Sequence, residues 1–149
     1  MKDAENSIRQ AELILKLYDL RRESMMRLAR GYVGGPFLPH SADEFVSLIT
    51  AGTKEGGYIL QVYGYWDMLA GFVVHGALDE TLVYDTCQEM YFQYAKIQPY
   101  LAEIRLKIHL PEYFRGIEAV VEGSDQGRAR LQDMKNSLAA IAAARTPSP

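Results

Sequence analysis

The stretch Gly57–Leu78 constrains this chain more than any other segment. Ile59, Leu60, Val62, Tyr63, Tyr65, Trp66, Met68, Leu69, Phe72 and Val73 leave it almost no polar face. A helix of that kind belongs in the middle of a bundle or inside a bilayer. Gln61, Asp67 and His75 interrupt it, and Asp67 falls near its middle, where an ionisable group is costly in lipid. The flanks Lys54-Glu55 and Asp79-Glu80 give no positive anchor. The stretch therefore reads as a buried helix from Tyr58 to His75 at the hub of a water-soluble bundle. Gly64 and Gly71 weaken it, which suggests that each lets a neighbouring helix come close.

The segments around this hub also read as helices. Ala4 to Arg30 has no proline or glycine, and Ile8, Ala11, Leu15 and Tyr18 recur at spacings of three and four. Arg27 and Arg30 stand in its last turn, where cations suit the helix dipole. Ser41-Ala42-Asp43-Glu44 is a capping box that starts a second helix. Gly76-Ala77-Leu78-Asp79 is a tight connection, with Asp79 as N-cap of a helix running to Ile97. Its brevity makes the flanking helices antiparallel neighbours. Pro99 either opens a helix to Ile108 or kinks one continuous rod. Pro111 opens another helix to Glu122. The last helix runs from Asp125 to Ala144, with Leu131, Met134, Leu138 and Ile141 forming a short coiled-coil-like seam. The fold expected is all-α: one domain of six or seven helices over residues 1–145, with a disordered tail over 146–149.

Composition narrows the function classes. With 48% apolar and 23% charged residues, the chain has the balance of a globular protein. Its net charge of −3 is of the wrong sign for a general nucleic-acid binder. Residues 41–100 carry two basic and eight acidic side chains, whereas residues 1–40 carry seven and five. The basic N-terminal helix can therefore answer the acidic middle within the chain. A single cysteine, Cys87, forms no intrachain disulfide and suits a reduced, cytoplasmic setting. The polar start Met1-Lys2-Asp3-Ala4-Glu5 reads as no signal peptide.

Four segments carry a likeness to a known group. They are Leu17-Tyr18-Asp19-Leu20-Arg21-Arg22-Glu23-Ser24-Met25-Met26, Tyr65-Trp66-Asp67-Met68, His75-Gly76-Ala77-Leu78-Asp79-Glu80, and the run from Tyr94 through Lys96 and Pro99 to Arg105. In that order they resemble a group of small bacterial helical proteins catalogued only as a domain of unknown function. The likeness spans roughly residues 12 to 120. It implies an all-helical domain, cytoplasmic or membrane-peripheral, and brings no catalytic residue and no cofactor with it.

The residues themselves point to no standard chemistry. The histidines, His40, His75 and His109, lie far apart, and none follows a glutamate by three as a di-iron bundle requires. Cys87 sits on an inward stripe, where a thiol behaves as a small hydrophobe. Gly31-Tyr32-Val33-Gly34-Gly35-Pro36 lacks the lysine of a phosphate loop. What stands out is a polar and aromatic cluster: Arg21, Arg22, Trp66, Asp67, Asp85 and Glu89. A buried carboxylate needs a partner, so Asp67 is expected to pair with Arg21 or Arg22 and fix how the first helix docks.

The first functional reading is a non-catalytic interaction or regulatory module with a protein partner or a second copy, self-associating through Leu131, Met134, Leu138 and Ile141. The second is a small-molecule binder or enzyme with an aromatic-lined pocket between the helices 58–75 and 79–97. The third is a membrane-peripheral protein using Arg21, Arg22, Met25, Met26, Arg27 and Arg30.

Overall fold

A computed structural model describes residues 3–146. It is all-α, with no strand among the described residues. The helices are α1 (Ala4–Arg22), α2 (Ser24–Gly34), α3 (Ala42–Thr50), α4 (Lys54–Val74), α5 (Glu80–Thr86), α6 (Gln88–Ile97), α7 (Leu101–Ile108), α8 (Arg115–Glu122) and α9 (Asp125–Arg145), with a 3₁₀ turn at Gln98–Tyr100. The tail expected beyond residue 145 lies outside the described residues, apart from Thr146.

Local sequence sets most helix starts. The hydroxyl of Ser41 accepts from Glu44 N at 3.0 Å, and the Glu44 carboxylate reaches back to His40 N at 2.9 Å. Thr53, Asp79 and Ser124 cap α4, α5 and α9 in the same way. Helix α4 is the hub, packed against α2, α3 and α8, while α9 lies along α6 and α8. Ile59, Val62, Tyr63, Trp66 and Ala70 have no exposed surface.

The structure has more helical segments than the six or seven expected, because two expected helices are cut in two; a third starts late. The 4–30 helix breaks at Glu23, whose extended backbone lets its carboxylate accept from Met25 N and Met26 N at 3.0 and 2.9 Å. The 79–97 helix breaks at Cys87. There the guanidinium of Arg130 on α9 donates to the carbonyl of Tyr84, which an unbroken helix would offer to Gln88 N. Arg130 also lies 3.4 Å over the Tyr84 ring. The helix expected from Pro111 starts only at Arg115, after Phe114 takes a left-handed conformation with φ 57°. That conformation is unfavourable for a bulky residue. It turns the Phe114 ring inward, 5.3 Å from the Tyr63 ring. Gln98-Pro99-Tyr100 joins α6 to α7 as a kinked, continuous helical run, the second of the two alternatives for Pro99.

The hub helix is not buried all round. Leu60 and Met68 are 44% and 42% exposed, and Gly64 lies between them on the same face. The glycines also act differently from expectation. A Cβ at Gly64 or Gly71 would meet nothing within 4 Å. The close helix approach is at Gly116 on α8, where a Cβ would sit 2.9 Å from Asp67 Oδ1 and 3.1 Å from the Asp67 carbonyl. Gly116→Ala is therefore expected to lower stability by about 1–3 kcal/mol through overpacking. Gly64→Ala is expected to raise it by about 1 kcal/mol through helix propensity alone. Urea denaturation of both variants checks the pair, and the reverse order of stability would be inconsistent with this packing.

Candidate functional site

Of the six residues singled out in the sequence, the fold brings three together. Arg21 ends α1, Trp66 lies in the middle of α4 and Glu89 opens α6. The Arg21 guanidinium sits 5.1 Å over the Trp66 ring and 3.8 Å from Glu89. A second arginine, Arg30 of α2, grips the same carboxylate with Nε at 3.1 Å and a terminal nitrogen at 2.7 Å. This bond holds the Arg30 guanidinium above its ordinary pKa. Beside it, the Tyr65 hydroxyl donates to the Leu17 carbonyl at 2.7 Å, and burial pushes that phenol up to about 12. One carboxylate thus ties α1, α2 and α6 over the face of α4. Arg30 entered the sequence reading only as a dipole partner and a surface cation, since 59 residues separate it from Glu89.

The other three residues lie elsewhere. Asp67 does not pair with Arg21 or Arg22. Its Oδ1 accepts from Ile117 N at 3.2 Å. The reason is local: Phe114, at the N-cap of α8, has no group to offer. Asp67 supplies the missing acceptor from α4, and its charge suits the positive end of α8. Arg22 is exposed, its guanidinium 5.9 Å over Tyr18. Asp85 is exposed, because the break at Cys87 separates it from the inward-facing Glu89.

The seam on α9 lies along the body of the same chain. Leu131 and Leu138 are buried, and Met134 and Ile141 are half-buried, on the helix packed against α6 and α8. The aromatics between α4 and α6 fill the core: Tyr63, Trp66, Tyr91 and Tyr94 have no exposed surface. The basic segment proposed for a membrane surface is divided, with Met26 buried and Arg21 and Arg30 held by Glu89.

An apolar strip runs over the outer face of α4. On one side a cleft of about 350 Å³ is lined by Leu20, Met26, Tyr65 and Met68, with Glu23 and Gln61. On the other a cleft of about 630 Å³ is lined by Leu60, Leu110, Pro111, Tyr113 and Phe114, with Asp67 and Glu112. Gly64 belongs to both and forms the dip between them. Every charged residue of the two linings is acidic: Glu23, Asp67 and Glu112. No single residue type in the sequence marks this strip, because the outer positions of α4 are as apolar as the inner ones.

A family model described as "Domain of unknown function (DUF4760)" matches residues 6–124. The chain belongs to that family. No curated protein and no solved structure matches it. The DUF4760 match spans both the Glu89 cluster and the α4 strip, and ends at the start of α9.

Inside this DUF4760 domain, Lys96 on α6 is buried, with only 4% of its surface exposed. Its ammonium donates to the carbonyls of Val33 and Phe37 at 2.5 and 3.0 Å. The Phe92 and Phe37 rings stand 4.9 and 5.6 Å away. Burial, with a smaller contribution from Arg145, pushes the Lys96 pKa down to about 8. A neutral amine keeps two N–H groups, one for each carbonyl, so deprotonation need cost neither bond.

Two predictions follow from these contacts. Asp67→Ala is expected to cost about 1–2 kcal/mol by uncapping α8, and Asp67→Asn less. Combined with Arg21→Ala the losses should add, since the two residues belong to separate networks; a strong coupling in the double-mutant cycle would contradict this. The second concerns pH. The folded state holds Lys96 below its unfolded pKa, so the unfolded chain binds more protons between about pH 8 and 10.5, and stability rises with pH there. Tyr63, Tyr65, Tyr91 and Tyr113 have raised pKa values, so they oppose unfolding until the unfolded phenols ionise near pH 10. Stability should therefore gain about 1 kcal/mol from pH 7 to pH 9 and fall above pH 10. Lys96→Met should remove the gain, as measured by urea melts across that range.

Proposed function

We propose that this chain is a non-catalytic interaction module that receives an amphipathic helix of a protein partner along the outer face of α4. The observation that carries this reading is the apolar strip with its two clefts and acidic rim. Leu20, Leu60, Met68 and Leu110 are each 42–53% exposed around it. A contiguous exposed apolar surface of this kind marks interaction sites in soluble proteins. The dip at Gly64 gives a partner helix room to approach the α4 backbone.

Charge selects the partner's chemistry. Glu23 and Asp67 favour an apolar stripe flanked by lysine or arginine, while Glu112 is already paired with Arg115 at 2.7 Å. The same rim disfavours an anionic lipid surface, and no helix among the described residues is long and apolar enough to cross a membrane. A cytoplasmic, reducing compartment suits the lone buried Cys87. The polar residues of the central cluster hold helices together: Glu89 joins α1, α2 and α6, and Asp67 caps α8.

A photo-crosslinking residue at position 60 or 68, introduced in cells that express the protein, tests the reading, with position 132 on the exposed side of α9 as control. The captured segment is then synthesised and titrated against the purified chain. The expected result is a basic amphipathic helix whose affinity falls at least tenfold in Met68→Glu, with unchanged thermal stability. Crosslinks to a second copy of the chain, to lipid, or at no more than the control level would overturn it.

A further inference from the structure

On the side of the molecule where α9 crosses α6, a second kind of cleft opens. It has a volume of about 270 Å³ and lies between the loop after α2, the 3₁₀ turn and the C-terminal half of α9. Leu38, Pro39, Tyr100 and Leu138 make apolar walls, and Lys96 and Lys135 are the charged residues of the lining, with His40 beside them. No carboxylate lines it. In a chain of net charge −3, whose residues 41–100 are the most acidic part, this is a local inversion of sign.

The bonding of Lys96 says what such a cleft lacks. A buried ammonium carries three N–H donors. Two go to the carbonyls of Val33 and Phe37, and the Phe92 ring lies 4.9 Å away, so every close partner of the ammonium is neutral. Arg145, near the end of α9, donates to the neighbouring Gly35 carbonyl at 2.9 Å and adds positive charge to the same region. Glu89 acts on Lys96 only at longer range and forms no ion pair with it; a buried cation without a close counter-charge is unfavourable, and an anion in the cleft would supply one.

We propose that this cleft is a binding site for a small monocarboxylate with an apolar body. Its head meets Lys96 and Lys135, and its tail lies on Tyr100 and Leu138. The volume holds about nine groups of water size at roughly 30 Å³ each, which sets the scale of the body. One buried ammonium and mostly apolar walls suit a single carboxylate; a phosphate dianion would need several more donors to replace its water. This site is separate from the α4 strip, and neither depends on the other.

The test uses the full chain labelled with ¹⁵N and titrated with sodium hexanoate. Hexanol is the neutral control, and acetate and inorganic phosphate are the charged controls without a matching body. Saturable amide shifts are expected at residues 38–40, 95–100 and 135–142. Each control should bind at least tenfold more weakly. Lys96→Met keeps the stem but removes the charge, and should weaken hexanoate at least tenfold. Ala139→Phe obstructs the mouth of the cleft without touching Lys96, and should do the same even if Lys96→Met does not fold. Hexanol binding as well as hexanoate, phosphate binding as well as hexanoate, shifts centred elsewhere, or unchanged affinity in a folded variant would each overturn the proposal.

Discussion

Burial of the inner face of α4 is the constraint around which the other helices arrange themselves. Tyr63 and Trp66 lose all contact with water, and Tyr65 nearly all. A polar atom carried that deep is unfavourable without a partner; the Trp66 indole N–H has no acceptor among the described residues, but both tyrosine hydroxyls find one. Tyr63 gives its hydroxyl to the Gln93 carbonyl of α6 at 2.7 Å, and Tyr65 gives its own to Leu17 of α1. These bonds run from the hub to backbone carbonyls, so they fix position along each neighbouring helix as well as contact. Glu89 acts in the same region, where its two arginines are drawn from α1 and α2. Removing that carboxylate would leave two partly buried guanidinium groups without it, which is unfavourable.

Features governed by neighbours in sequence were legible without the structure. Ser41 and Asp79 announce helix starts, and each makes its cap bond. The apolar run around Trp66 announces the hub. Features governed by distant residues were not legible. The break at Cys87 depends on Arg130 taking the Tyr84 carbonyl from 46 residues away. The break at Glu23 uses a glutamate as cap, a residue type that ordinarily sits inside a first turn. Asp67 illustrates the limit most clearly. That it needs a partner follows from chemistry. That the partner is the N-terminus of α8, uncapped because Phe114 turns its ring into the core, follows only from the tertiary path.

The same distinction separates the candidate sites. The polar cluster found by sequence turned out to have geometric work inside the fold: Arg21, Trp66 and Glu89 bind helices to one another, and Asp67 finishes another helix. The surfaces with no such internal role were harder to see. Lys96 reads as one more charge on a helix until the carbonyls of Val33 on α2 and Phe37 in the loop after it close around it. The strip on α4 is hidden in plain apolar composition, because periodicity reveals a face only where apolar and polar positions alternate.

Gly64 sharpens the case for that strip. A glycine inside a helix costs about 1 kcal/mol relative to alanine, and such a cost is ordinarily offset by a close packing contact. Gly116 has one, against the Asp67 carbonyl and side chain; Gly64, like Gly71 on the same helix, has nothing within 4 Å of the missing Cβ. Leu60 and Met68, its neighbours one turn to either side, are large apolar residues left in water, which also brings no gain to the isolated chain. Three successive turns of one helix face are thus each poorly suited to an isolated monomer, in the same direction and at the same place. A helix laid into the groove would cover the two apolar side chains and use the empty space at the glycine, so one contact would account for all three.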